Sequence, residues 1–316
     1  MKLYNDDPII GVQGKTFHQA LRFSHQAMAT VFEIFIDHDD AQYAQQAAME
    51  AWRELDRLEL ELSRFIENSD ISRINNLRQD QSIQIGMDTY ECLKRCAHLT
   101  TATNGAFDVL IGYLMKNGGT GDAESSIDQS MDSSKQNMGL VLSLDEVNFR
   151  VTLLSNSISI DLGGFGKGYA IDRMAELLRE WEIPSALIHG GASSVLALAA
   201  PSGETGWPIT LSHPQSNRTM VHMNLKDRAL SGSGSRKGFH IIDPRTKRAV
   251  ERRLAAWAFS SDGATSDALS TAFMAMSPEE IEAYCSRYPE TQGMIIIEDK
   301  RGNEKEGQVL AFGNWE

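Results

Sequence analysis

Four glycines fall within the six positions 163–168, a stretch that also carries Lys167 and follows Asp161. Glycine lets a backbone approach a ligand closely, and the first turn of a helix offers unpaired N–H groups and the positive end of a dipole. A lysine in that turn adds a charge suited to phosphate oxygens. We therefore predict a phosphate-binding turn between a strand at 157–160 and a helix whose apolar stripe runs to Trp181. A tight strand-to-helix turn with Lys167 in solvent is the alternative that the glycines alone leave open.

Asp267 and Thr271 form a second candidate pair. They are four residues apart in a predicted helix, so their side chains share one face. Two hard oxygen donors on a rigid element suit Mg²⁺, which takes few protein ligands and leaves positions for water and substrate phosphates. An aspartate near a helix start is also a common cap or dipole partner, and the pair alone does not decide between these roles.

A histidine and two basic residues follow a stretch rich in serine and glycine. The stretch 231–235 predicts a flexible loop, after which come Arg236, Lys237 and His240. His240 is a candidate general base because histidine has the unperturbed pKa nearest to neutrality, and a structural role is the alternative. The segment 105–108, which follows a predicted helix, could supply backbone and carboxylate contacts to a ribose or an amide.

The overall composition restricts the function classes. The chain has 316 residues, of which 41% are hydrophobic and 23% charged, as in ordinary globular proteins. Its net charge of −13 argues against general nucleic-acid binding, which needs an excess of Lys and Arg. The cysteines Cys92, Cys96 and Cys285 do not suggest a disulfide framework and suit a reducing compartment. No leader-like start and no run able to span a bilayer stand out, so we expect a cytoplasmic protein, although a removed leader would look the same.

The mixture of helices and strands predicts an α+β fold, because neighbouring strands often lack a helix between them. The polar stretch at about 118–139 is interpreted as a surface insertion into a single domain rather than a linker, since strands resume directly after it. A hairpin of strands at 147–151 and 157–160 would lead into the glycine stretch. The other predicted strands are 30–37, 186–189, 194–199, 209–211, 219–225, 257–260 and 294–297, and the other predicted helices are 42–62, 71–75, 87–103, 266–276 and 281–287.

Six segments together resemble the ApbE family, the FAD:protein FMN transferases, in residues and in order over nearly the whole chain. Any one segment is a weak signal, and the ordered series is a strong one. The segments are Met-Ala-Thr at 28–30, Leu-Ser-Arg-Phe at 62–65 with Ser-Asp-Ile-Ser-Arg-Ile-Asn at 69–75, Asn-Gly-Ala-Phe-Asp at 104–108, the glycine-rich 161–172, His-Ile-Ile-Asp-Pro-Arg-Thr at 240–246 and Asp-Ala-Leu-Ser-Thr at 267–271.

The resemblance implies one α+β domain over residues 1–316, with T-fold-related mixed sheets flanked by helices and an FAD cleft between two lobes. It also implies Mg²⁺ at the pyrophosphate of FAD. By motif position, the metal ligands would be the Gly164 carbonyl, Asp267 and Thr271. The residues that would contact FAD are Met28, Phe65, Ala106, Phe107, Asp108, Asp161, Lys167 and Ile242.

The implied reaction is transfer of the FMN moiety of FAD onto a Ser or Thr hydroxyl of a client flavoprotein, with release of AMP. His240 would accept the proton of the attacking hydroxyl. Two other functions stay open at this point. The same residues could serve a Mg²⁺-dependent FAD pyrophosphatase that forms FMN and AMP, or a protein that binds FAD without catalysis.

Overall fold

The computed structural model of the protein describes residues 10–12, 20–112, 138–155, 158–191, 193–234, 241–298 and 307–315. The chain forms two compact units. The expectation of a single domain stays a prediction. The first unit comprises Met1–Leu55, Lys167–Arg236 and Arg252–Glu316, and the second comprises Asp56–Gly166 and Lys237–Glu251.

An eight-stranded antiparallel sheet is the framework of the first unit. Its strands are rich in β-branched and aromatic residues, which suit a pleated and buried surface. The strands are β2 (Leu21–Ala27), β3 (Thr30–Ile36), β7 (Ala186–Gly190), β8 (Ser194–Ala197), β11 (Arg228–Gly234), β14 (Arg253–Ser260), β15 (Gln292–Ile297) and β16 (Gln308–Phe312). Their order in the sheet is β16-β15-β14-β11-β8-β7-β3-β2.

A second sheet of three antiparallel strands shares a hydrophobic core with one face of the large sheet. It consists of β1 (Ile10–Val12), β9 (Trp207–Ser212) and β10 (Thr219–Leu225), in the order β1-β9-β10. The two sheets bury Trp207 and Trp257 completely. Because alternate residues of a strand face opposite sides, the large sheet keeps its other face for helices.

The helices of the described residues range from 4 to 22 residues in length. Apolar residues at helical spacing define the long ones. The helices of the described residues are α1 (Ala41–Leu62), α2 (Asp70–Asn75), α3 (Met87–Ala102), α4 (Met138–Val141), α5 (Gly166–Glu180), α6 (Gly263–Ala275) and α7 (Pro278–Arg287), and Val109–Ile111 forms a 3₁₀ turn. Helix α6 packs on β8, β11 and β14, and α7 packs on β15 and β16.

The second unit holds a small sheet and a hairpin. The sheet has the order β4-β6-β5, from β4 (Ser82–Gln84), β5 (Leu142–Asp145) and β6 (Arg150–Leu153). The hairpin pairs β12 (Ile242–Asp243) with β13 (Arg248–Ala249). All of these pairs are antiparallel.

Most predicted elements are confirmed. The helices predicted at 42–62 and 87–103 are observed at Ala41–Leu62 and Met87–Ala102. The strand predicted at 30–37 is observed at Thr30–Ile36. The mixed sheets and helices confirm the α+β class. The predicted insertion lies outside the described residues, except for its last two, which begin α4.

The predicted hairpin of 147–151 and 157–160 is wrong. Its turn lies at 146–149, where the Asp145 carboxylate accepts hydrogen bonds from the Val147 and Asn148 N–H groups at 2.9 and 3.2 Å. Residues 158–160 form no strand. The backbone of Ile160 bonds instead to the Asn75 side-chain amide, which donates to its carbonyl at 3.0 Å and accepts from its N–H at 2.6 Å. A side chain thus replaces the neighbouring strand.

The flexible loop predicted at 231–235 is also wrong for its described part. Residues 231–234 belong to β11, a central strand, and Ser231 is fully buried. Serine and glycine in alternation favour a turn, whereas here the serines of the strand face the helix Gly263–Ala275. Among the described residues, no helix is both long enough and apolar enough to cross a bilayer.

Candidate functional site

Asp267 is a carboxylate placed in the interior of the first unit, where it is only 3% exposed. It lies in the middle of α6 and is not the helix cap, a role taken by Asp262. The Gly168 N–H donates to Asp267 Oδ2 at 3.1 Å, and Lys167 Nζ lies 3.5 Å from the same oxygen. A buried carboxylate needs such donors and charges, because burial without them is costly. The first turn of α5 therefore supplies the donors predicted for an anion, and it supplies them here to a carboxylate.

Close packing of two helices explains one glycine of the cluster. A Cβ at Gly168 would overlap the carbonyl oxygen of Gly263 and lie 2.8 Å from the Asp267 Cβ. A Cβ at Gly263 would lie 2.6 Å from the Gly168 carbonyl oxygen. Gly168 therefore admits the backbone of α6, and the prediction that the glycines admit a ligand stays a prediction. This crossing brings Lys167 to Asp267.

The start of α6 is fixed by two aspartates. Asp172, on α5, accepts hydrogen bonds from the Gly263 and Ala264 N–H groups at 2.6 and 2.9 Å. The N-cap Asp262 accepts from the Thr265 N–H at 2.8 Å. Negative groups at a helix N-terminus are stabilised by its unpaired N–H groups and its dipole. Asp172 and Asp262 thus fix the N-terminus of α6 and, with it, the position of Asp267 on that helix.

Hydroxyl groups join the other side of α6 to the sheet. Ser231 and Ser233, alternate residues of β11, lie 2.8 Å from Ser266 Oγ and 2.9 Å from Ser270 Oγ respectively. Thr271 Oγ1 lies 3.4 Å from Ser233 Oγ, and it donates to the Asp267 carbonyl at 3.3 Å. The carboxylate and hydroxyl predicted to share a helix face are thus one turn apart, against the sheet.

These donors fit a magnesium ion by their chemistry. Asp267 and Thr271 offer hard oxygens, the ligands that Mg²⁺ prefers, and Asp267 Oδ1 has one hydrogen-bond partner among the described residues. In the described part of the chain, no three His, Cys, Asp or Glu side chains form a metal-binding group. The predicted magnesium site is of another kind, because only one of its three protein ligands is a carboxylate. Gly164 belongs to the second unit, and its carbonyl stays a predicted ligand.

Met28 occupies a strained turn in the first unit. Strands β2 and β3 are joined by the two residues Met28 and Ala29, with φ of 48° and 57°. Both values are left-handed, as the tightest hairpin turns require, and such turns favour Asn and Gly. Strained residues of this kind concentrate at functional sites. A contact of Met28 with the flavin stays a prediction.

Phe65 is an exposed aromatic side chain in the second unit. It is 81% exposed, and the Arg64 guanidinium carbon lies 4.2 Å from the centre of its ring. Arg64 Nε also lies 2.9 Å from Asp161 Oδ2, and Asp161 Oδ1 accepts from the Gly163 N–H at 2.8 Å. An open ring face with a cation beside it can stack on another planar group. The predicted FAD residues Phe65 and Asp161 are therefore connected through Arg64.

Asp108 is a carboxyl group with a perturbed pKa. Its burial raises the pKa to about 6, although the hydrogen bond from the Leu110 N–H at 2.9 Å acts in the opposite direction. The preceding residues Ala106 and Phe107 are buried, at 2% and 3% exposure. A contact of Ala106 or Phe107 with FAD stays a prediction.

Ile242 lies in the hairpin of the second unit. Its side chain is buried, and the next residue, Asp243, accepts hydrogen bonds from the backbone and side chain of Arg245 at 2.9 and 3.0 Å. A Cβ at Gly105 would lie 3.6 Å from the Arg245 Cγ, so the hairpin contacts the segment that leads to Asp108. Two of the six sequence segments thus meet here. His240 lies outside the described residues.

Several residues around Asp267 and Phe65 were given no role by the sequence patterns. Arg64 stands within a recognised segment, and its place beside Phe65 and Asp161 is visible only in three dimensions. Ser194 and Ser233 contact Asp267 and Thr271 from other strands. The alternation of serine along β11 is a signal that could have located Ser233, whereas Ser194 had none.

Comparison with known proteins adds a family model, described as ApbE family, that matches residues 28–295. FAD:protein FMN transferases of Vibrio cholerae serotype O1 and Chlamydia muridarum are 23% and 26% identical, over 83% and 73% of this chain and 83% and 77% of their own. The Thermotoga maritima ApbE protein has a TM-score of 0.78 at 22% identity, covering 93% of this chain and 97% of its own. The apo Pseudomonas stutzeri flavinyl transferase ApbE has a TM-score of 0.77 at 20% identity, covering 93% and 94%.

Proposed function

Because the chain belongs to the ApbE family, with a match over residues 28–295, we propose that it is an FAD:protein FMN transferase. The observation that carries the proposal is the buried Asp267 carboxylate, beside the Lys167 ammonium and one helical turn from the Thr271 hydroxyl. The oxygens of Asp267 and Thr271 could bind a cation, and the Lys167 ammonium could bind an anion. Both groups lie on closely packed helices, an arrangement that suits a pyrophosphate substrate. The relatives that carry this activity by name are similar over more than two thirds of this chain.

We propose that Asp267 and Thr271 hold a Mg²⁺ ion, with the Gly164 carbonyl as a further ligand. When bound, the ion would neutralise charge that develops on the pyrophosphate oxygens. Lys167 would turn from Asp267 to a phosphate oxygen, since a lysine side chain is flexible and presents a compact charge. Both charges would then lie beside the phosphorus that is transferred.

Other residues would contact FAD directly, two of them on the flavin side. Met28 and Phe65 would pack on the flavin, the latter with Arg64 beside it. Asp161 would contact FAD while it is held by Arg64. The other proposed contacts come from Ala106, Phe107, Asp108 and Ile242.

The proposed reaction is attack by a client Ser or Thr hydroxyl on the FMN-side phosphorus of FAD. A bond forms between the client oxygen and this phosphorus, the bond from the phosphorus to the bridging oxygen breaks, and that oxygen leaves with AMP. His240 would accept the proton of the hydroxyl. The client product is a phosphoester of FMN.

Mass spectrometry of candidate flavoproteins co-expressed with this chain tests the proposal. The expected result is a client that gains one FMN on a Ser or Thr with the wild-type chain and none with Asp267→Asn. Asp262→Asn is the matched control, since asparagine also caps a helix and the residue does not contact Asp267.

Two outcomes would overturn the transferase proposal. Incubation of the purified protein with FAD and Mg²⁺ that rapidly yields FMN and AMP, with no modified client in the cells, would indicate a pyrophosphatase. Stable FAD binding without AMP release, with or without a client, would indicate a binding protein without catalysis.

A further inference from the structure

Ser194 is a fully buried serine that contacts the proposed metal ligand from the sheet. Its Oγ donates to Asp267 Oδ1 at 3.3 Å, and its exposure is 0%. A carboxylate can only accept hydrogen bonds, so the hydroxyl must be the donor. Ser194 begins β8 and pairs with Gly190 on one side and Ser231 on the other. Its backbone is therefore fixed by strands on both sides.

The two oxygens of Asp267 have different surroundings. Oδ2 faces the Gly168 N–H and the Lys167 ammonium, both from α5. Oδ1 faces Ser194 and, within the described ranges, has no second hydrogen-bond partner. One donor on each oxygen fixes the plane of the carboxylate, whose terminal torsion is otherwise broad. The remaining acceptor capacity of Oδ1 is then available to a cation.

We propose that Ser194 is a positioning residue that orients Asp267 so that its Oδ1 binds the divalent cation. This inference rests on the proposed metal role of Asp267. Groups that hydrogen-bond to a metal ligand commonly change metal affinity by about 10–100-fold when they are removed. Without Ser194, the carboxylate would lose its donor from the sheet and could rotate toward Lys167.

A neighbouring serine provides a matched control. Ser231 is also fully buried on the large sheet, and its Oγ lies 2.8 Å from Ser266 Oγ on the same helix. It does not contact Asp267 or Thr271 in the structure as described. Ser231→Ala therefore removes a similar link between the sheet and α6 without touching the proposed ligands.

The test is a titration of the full chain with Mn²⁺, followed by electron paramagnetic resonance, in the presence of ADP as a source of pyrophosphate. We expect Ser194→Ala to weaken Mn²⁺ binding by about tenfold, and Ser231→Ala to change it by less than about twofold. In the transfer reaction, Ser194→Ala should raise the apparent KM for Mg²⁺ while kcat at saturating Mg²⁺ changes little. Circular dichroism and urea unfolding of both variants report whether each one folds.

The outcomes separate this inference from the proposed function. Equal Mn²⁺ affinity in folded Ser194→Ala and wild type would overturn the positioning role, and so would an equal loss in both serine variants. Wild-type protein that binds no Mn²⁺ would instead overturn the proposed metal site. If Ser194→Ala does not fold, Ser194→Cys keeps a weak donor of similar size, and its Mn²⁺ affinity must then fall below that of wild type.

Discussion

Asp108 combines a buried carboxyl group with a backbone hydrogen bond in the segment where Ala106 and Phe107 are also buried. Burial raises its pKa from 3.8 to about 6, so the folded protein binds this proton more tightly than the unfolded chain does. The sign is therefore opposite to that of an ion-paired aspartate. The free energy of unfolding should fall as the pH rises through the window from about 4 to 6.

Asp108→Asn tests this directly. Asparagine is neutral at all these pH values and keeps an oxygen to accept the Leu110 N–H, so the variant should be more stable than wild type at pH 8 by about 1–3 kcal/mol. Near pH 4 the two should be nearly equal. Urea unfolding at both pH values measures the difference, and a variant of wild-type stability at pH 8 would show that the charged form is not penalised.

At the residue scale, the sequence predicted which side chains could do chemistry better than it predicted their neighbours. Asp267 and Thr271 lie one turn apart on a helix, as their spacing of four required. The contact of Asp267 with Ser194 joins residues 73 positions apart and depends on strand pairing, which no local pattern reveals. The reason for Gly168 is likewise a long-range one, the backbone of Gly263.

The crossing of α5 and α6 is the element on which the proposed site depends. Gly168→Ala would place a Cβ into the Gly263 carbonyl, whereas a Cβ at Gly166 would meet only the Leu162 Cβ, at 3.8 Å. We expect Gly168→Ala to destabilise the protein by about 3 kcal/mol or more and Gly166→Ala to change it by less than about 1 kcal/mol. Thermal unfolding of the two variants measures this, and similar stabilities would argue against tight packing at the crossing.

The N-terminus of α6 offers a second test at the same scale. Asp172→Asn replaces a carboxylate that accepts hydrogen bonds from two N–H groups. The NH₂ of the asparagine would then point at one of these N–H groups, and two donors cannot form a hydrogen bond. The expected loss in the free energy of unfolding is about 1–3 kcal/mol. Asp262→Asn keeps a capping residue and should lose less than about 0.5 kcal/mol. Denaturant unfolding distinguishes the two, and equal losses would mean that Asp172 has no special part in holding α6.

The prediction of the strands at 147–160 failed because side chains make hydrogen bonds that backbone groups of a hairpin would otherwise make. The sequence around 147–160 has the apolar content of a hairpin, but the Asp145 carboxylate places the turn inside the first predicted strand. Asn75 then pairs with Ile160, which removes the need for a strand there. Strand β11 was missed because its serines and glycines have low strand preference, and burial against α6 overrides that preference.

At the scale of the whole molecule, the α+β class followed from the irregular order of strands and helices, and the ordered segments identified the family. The division into two units was not predictable in detail, because each unit is built from separated stretches of chain. Segments such as 105–108 and 242–245 carry little information alone. The ordered series gives them their significance, and the fold brings the two segments together where Arg245 packs beside Gly105.

We propose that a divalent cation binds at Asp267 and Thr271 next to the pyrophosphate of FAD. A crystal structure of the protein with FAD and Mn²⁺, with anomalous diffraction to locate manganese, measures this most directly. We expect one manganese peak about 2.2 Å from Asp267 Oδ1 and from Thr271 Oγ1, with Lys167 turned to a phosphate oxygen. Bound FAD with no manganese at Asp267, or manganese held by other residues, would contradict it.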